Sequence, residues 1–104
     1  MKARQVLNEV FTPSKNFACR LLAWEVRGDK RFSENFKYAF VLLHENERVL
    51  AYDNCEGKGH HRHYGKQQGP NTGTPEIKSK KDIEKLARTF MTEVTAIIKK
   101  TKNE

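Results

Sequence analysis

The strongest pattern along the chain lies near its C-terminal end. Ile83, Leu86, Ala87, Phe90, Met91, Val94, Ile97 and Ile98 recur at i, i+3, i+4 and i+7. That spacing collects them on one stripe of an α-helix. Ser79 with Asp82 resembles a capping box, and Lys99 and Lys100 suit the negative end of the helix dipole, so a helix is predicted over residues 80–100. Upstream the period changes to two. Phe36, Tyr38, Phe40 and Leu42 alternate with Lys37, Ala39, Val41 and Leu43, and within residues 17–27 Leu22, Trp24 and Val26 share a face. Both stretches predict strands. Gly28-Asp29 is a turn signal, and His44-Glu45-Asn46-Glu47 turns the chain into a third strand, Arg48–Asp53. Asp53 stands at its end, on the face of Val49 and Ala51. The connections are too short for parallel crossovers, so an antiparallel meander follows. Residues 4–11 place Val6, Leu7, Val10 and Phe11 at helical spacing before Pro13. They predict a short helix, with an edge strand as the alternative.

The apolar stripe must cover something, and one face of the sheet is available. The expected fold class is therefore α+β: a mainly antiparallel sheet, of three or more strands, packed against a long C-terminal amphipathic helix. The 104 residues suit one domain, 1–104. Between the third strand and the helix, residues 57–76 hold five of the six glycines and two of the three prolines. Residues 57–78 are accordingly predicted as one long basic Gly/His loop, and loops of that length are usually functional or disordered.

Charge singles out the same segment. Of the formal +7, little arises in residues 1–53, with nine Lys/Arg against seven Asp/Glu. Residues 57–81 carry six against one. Such a concentration points to an anionic partner, nucleic acid first and an acidic protein second, against the bland alternative of a solvated loop. The N-terminus lacks an apolar signal core and no apolar run approaches ~18 residues, which predicts a cytoplasmic chain with no membrane partner. The thin core of so small a chain makes a shared homodimer interface conceivable. Cys19 and Cys55 make neither a disulfide framework nor a zinc ribbon. Both read as packing thiols, although Cys55 borders the loop.

The chemistry-bearing residues are Tyr-Asp-Asn-Cys-Glu-Gly-Lys-Gly-His-His-Arg-His-Tyr-Gly, residues 52–65, with three of the four histidines. Three readings compete. The first is metal-independent RNA cleavage, in which His60, His61 and His63 supply general acid and base. Lys58 and Arg62 would stabilise phosphorane charge, Tyr64 would stack on a base, and Asp53 would orient an imidazole. The second is a metal site of Asp53, His61 and His63. It ranks lower because Arg62 sets a cation between the ligands, so neither metal nor cofactor is expected. The third is phosphate or acidic-partner binding without chemistry. Gly57-Lys58-Gly59 is not a phosphate-cradling motif, lacking its spacing and its helix.

Arg48-Val-Leu-Ala-Tyr-Asp-Asn-Cys, a short glycine-containing gap and His60-His61-Arg62-His63 together resemble the hallmark of the TumE toxin family of prokaryotic type II toxin–antitoxin modules, over roughly residues 17–100. Cys55 and the short gap are departures, since members often have Ala there and a longer insert. The resemblance implies a small toxin with an antitoxin partner, often one carrying a helix-turn-helix domain. It singles out Tyr52, Asp53, Asn54, His60, His61 and His63. Tyr52 and Asn54 thereby join Lys58, Arg62 and Tyr64 as candidate substrate-binding residues. The expected function is a toxin acting on RNA as a small endoribonuclease. The alternative is a non-catalytic basic module that binds nucleic acid or an acidic antitoxin.

Overall fold

The computed structural model describes residues 3–28, 35–54, 60–64, 67–68 and 77–102. Six strands precede one helix: β1 (Arg4–Phe11), β2 (Phe17–Glu25), β3 (Phe36–His44), β4 (Glu47–Asp53), β5 (His61–Tyr64), β6 (Gln67–Gln68) and α1 (Lys80–Lys102). The strands lie in chain order in one sheet, and every neighbouring pair is antiparallel. The fold is α+β, as the periodicities require. Glu45 and Asn46 both have positive φ (51° and 69°), which is how a two-residue loop matches the twist of β3 and β4.

Alternation decides which side chains meet the helix. Phe17, Cys19, Leu21 and Ala23 of β2, Phe36, Tyr38, Phe40 and Leu42 of β3, and Leu50 and Tyr52 of β4 are buried. Onto them α1 lays Ile83, Leu86, Phe90 and Val94. The Phe90 ring meets Phe40 edge-on at 5.7 Å and Tyr52 at 4.9 Å, the perpendicular arrangement that aromatic quadrupoles favour. The helix begins where its capping residues stand. Asp82 Oδ2 accepts the amides of Lys78 (2.8 Å) and Ser79 (3.2 Å), which would otherwise be orphaned by the first turn. Cys19 is a packing thiol: burial, and secondarily Glu9, raise its pKa to about 11. No helix among the described residues is long and apolar enough to cross a membrane.

Three expectations need correction. Residues 4–11 form a strand, not a helix. An isolated eight-residue helix is marginal, whereas β2 offers an open ladder of hydrogen-bonding groups. A register shift between Gln5 and Leu7 inserts Val6 as an extra residue, which accounts for the misleading apolar spacing. Leu22 and Trp24 do share a face, but it is the one turned away from the helix, because β2 is apolar on both sides. Val26 lies just beyond the strand and is buried. Finally, residues 57–78 are not one uninterrupted loop. His61–Tyr64 pairs with β4 and Gln67–Gln68 pairs in turn with β5, so two histidines stand on a strand. Cys55, Gly57, Lys58, Gly59 and Gly65 lie outside the described residues.

Candidate functional site

The β4–β5 register is Leu50↔Tyr64, Ala51↔His63, Tyr52↔Arg62 and Asp53↔His61. Partners across a ladder share a face, and successive residues alternate. Tyr52 and Arg62 therefore face α1, while Asp53, His61 and His63 occupy the opposite, outer face. The sheet divides the histidine cluster.

On the outer face His63 Nε2 lies 3.2 Å from Asp53 Oδ2, across the diagonal of the ladder. The two side chains are 14% and 26% exposed, sheltered enough to hold an orientation yet open to a ligand. An Nε2–H donated to Asp53 leaves Nδ1 as the basic nitrogen of His63. The rings of His61 and His63 are 6.4 Å apart and inclined by 35°. Two imidazoles, one of them oriented by a carboxylate, thus stand side by side on the face opposite α1, with His61 Nε2 buried.

On the helix side the chemistry is enclosed. His60 is buried, with Nδ1 2.6 Å from Tyr38 Oη and its ring edge-on to Tyr52 at 5.2 Å. Burial lowers its pKa below the usual 6.5, with Asp53 and Glu93 opposing the shift, so the ring is held neutral. Glu93, from the middle of α1, accepts hydrogen bonds from Tyr52 Oη, from Arg62 Nε (3.1 Å to each oxygen) and from Arg62 Nη2. Burial alone would push the Glu93 carboxyl up. The bonds from Arg62 and Tyr52 outweigh it, and the pKa falls below 4.5. Burial and then Glu93 drive the Tyr52 phenol well above its ordinary value. The bond to Glu93 raises Arg62 in turn.

The candidates named from sequence therefore separate. Asp53, His61 and His63 come together. His60 belongs with Tyr38, Tyr52, Arg62 and Glu93 on the other side. Tyr64, 47% exposed, lies under the Arg62 guanidinium at 5.5 Å, away from the His63–Asp53 pair. Asn54 is buried and fully engaged with the backbone of β3: Oδ1 accepts from Tyr38 N (2.9 Å) and Nδ2 donates to Phe36 O (2.7 Å). It prolongs the β3–β4 ladder by one step with a side chain. Glu93 and Tyr38 escaped sequence reasoning. Glu93 sits three residues after Phe90, beside the apolar stripe, and this was its one available signal. Among the described residues no group of three or more His, Cys, Asp or Glu side chains is placed to hold a metal ion.

The family model described as Toxin TumE matches residues 6–98, from β1 almost to the end of α1. No curated protein and no solved structure matches the chain significantly.

Proposed function

The chain belongs to the TumE toxin family, and from that premise we propose that it is the toxin of a toxin–antitoxin module and cleaves RNA without a metal. Family membership implies an antitoxin partner, for which a helix-turn-helix protein encoded alongside is the expected kind. The observation that carries the ribonuclease reading is the His63–Asp53 pair at 3.2 Å, with His61 beside it on the face opposite α1.

The chemistry divides between the two imidazoles. His63 Nδ1 takes the proton of a ribose 2′-hydroxyl as that oxygen attacks the adjacent phosphorus. Asp53 holds the ring in the tautomer that leaves Nδ1 free to accept, and balances the imidazolium that forms. His61, acting through Nδ1 because its Nε2 is buried, gives a proton to the departing 5′-oxygen as the P–O bond breaks. The products are a 2′,3′-cyclic phosphate and a 5′-hydroxyl. Arg62 is held by Glu93 on the far side of the sheet and takes no part.

The deciding experiment incubates the purified protein with a single-stranded RNA in excess chelator and identifies the new ends. Cyclic phosphate and 5′-hydroxyl ends, lost in His63→Ala and His61→Ala and retained in chelator, support the reading. Full cleavage and growth inhibition by both variants would sink it. Growth inhibition and RNA binding with no new ends would instead favour the non-catalytic module.

A further inference from the structure

The outer face of the sheet continues beyond the His63–Asp53 pair. Its strand residues include Arg20 of β2, Lys37 of β3 and Arg48 of β4, all exposed. The register brings just one carboxylate to that face among the described strand residues. It is Asp53, already engaged with His63. The same face bears Trp24, the chain's single tryptophan, half-buried, with Lys37 Nζ 5.6 Å from its ring centroid. Trp24 pairs with Lys37, and two residues further along β3 Ala39 pairs with Asp53. Two inter-strand steps and one two-residue step along the strand separate Trp24 from Asp53 by ~12 Å.

We propose that this outer face is a platform for single-stranded RNA, on which Trp24 stacks a base while Lys37, Arg20 and Arg48 hold the phosphate backbone that leads to His63. The proposal rests on the ribonuclease reading for the polymer it names. Its own support is a π-surface set among exposed cations on the sheet face opposite α1. Every base has a face that can stack on indole, and cations along the path neutralise phosphates without regard to sequence. A duplex buries its base faces and cannot use the indole. Trp24 is thus a substrate-binding residue that sets the position of the strand over the imidazoles.

The single tryptophan makes the test direct. The full-length protein is titrated with a short unstructured RNA, following Trp24 emission and RNA anisotropy together, at a pH and temperature where the RNA stays intact. Quenching that saturates with the anisotropy is expected. Trp24→Ala should weaken binding roughly tenfold and Trp24→Phe much less, since phenyl still stacks. Arg20→Glu should lower affinity and reduce the slope of log affinity against log salt by about one phosphate contact. RNA that binds without quenching, unchanged affinity in a folded Trp24→Ala protein, a duplex that competes equally, or no binding at all would overturn the platform. His63→Ala separates the two readings. Loss of cleavage with quenching intact leaves both standing. Cleavage that survives in His63→Ala removes the acid–base assignment alone, because the quenching is judged independently.

Discussion

His60 and His61 are consecutive in the chain and lie on opposite sides of a single β-sheet. His60 is enclosed between Tyr38 and Tyr52 under the helix, and His61 stands across from Asp53 on the face opposite α1. His60 belongs to the enclosed core on one side, and His61 and His63 on the other are the residues to which the proposed chemistry is assigned.

Substitution should separate the halves. His60→Ala removes a buried ring and its hydrogen bond with the Tyr38 hydroxyl and is expected to cost about 1–3 kcal/mol, a fall of several degrees in melting temperature. His63→Ala removes a sheltered ring and its bond to Asp53, so it should cost about 1 kcal/mol in stability but reduce RNA cleavage by roughly 10²-fold or more. Asp53→Asn, which keeps the shape and loses the charge, should follow His63→Ala. Thermal unfolding and cleavage rates on the same samples would check this. A large stability loss in His63→Ala with normal cleavage in the folded fraction would contradict it.

Acid should weaken the protein in two stages. His60 is held neutral, so below about pH 6.5 the unfolded chain takes up a proton that the native protein resists. The stability from this group is complete above pH 6.5 and declines as pH falls toward the lowered native value. Glu93 acts further down. Its native pKa lies below 4.5, so its contribution is complete above pH 4.5 and is lost as pH falls through the native value. Urea midpoints measured from pH 8 down to about pH 2 should show both limbs. His60→Gln should flatten the upper one, and Glu93→Gln the lower.

Glu93 ties the helix to β4 and β5 through Tyr52 and Arg62. Glu93→Ala strands a phenol and a guanidinium, and since Arg62 is partly exposed, water relieves some of the loss. A cost of about 1–3 kcal/mol is expected. Arg62→Ala with Glu93→Ala should cost less than the two singles together, by about 1 kcal/mol. Strict additivity in a chemical-denaturation cycle would show that the pair is not coupled.

Asn54 offers the sharpest test of a structural role. Asn54→Ala deprives the Tyr38 amide and the Phe36 carbonyl of their partners and should cost about 2–4 kcal/mol. Hydrogen exchange would report it locally, as lost protection at Tyr38.

How much of this was legible in the sequence differs by element. Strand β3 and the helix carry clear periods, so their class and the buried face of α1 followed directly, whereas β4, with a register shift at Val49, was legible from its apolar run after the turn. Residues 4–11 misled because Val6 occupies a bulge, and an inserted residue turns a period of two into something close to helical spacing. His61–Tyr64 contains no aliphatic residue and becomes a strand only through β4, a long-range pairing that leaves no periodic trace. The shared side of His61 and His63 could be read from alternation. The opposite placement of His60, and its bond to Tyr38 more than twenty positions away, could not.

The proposed chemistry of the outer face depends on β5, four residues long and followed by a two-residue strand. The distance between Asp53 and His63 therefore depends on that short ladder together with the Arg62–Glu93 tie that holds β5 to α1. A local opening that frees β5 would part the pair while Phe40, Phe90 and Val94 remain packed. As denaturant rises, catalysis is expected to disappear before the helix signal changes, so the protein can be silenced without being unfolded.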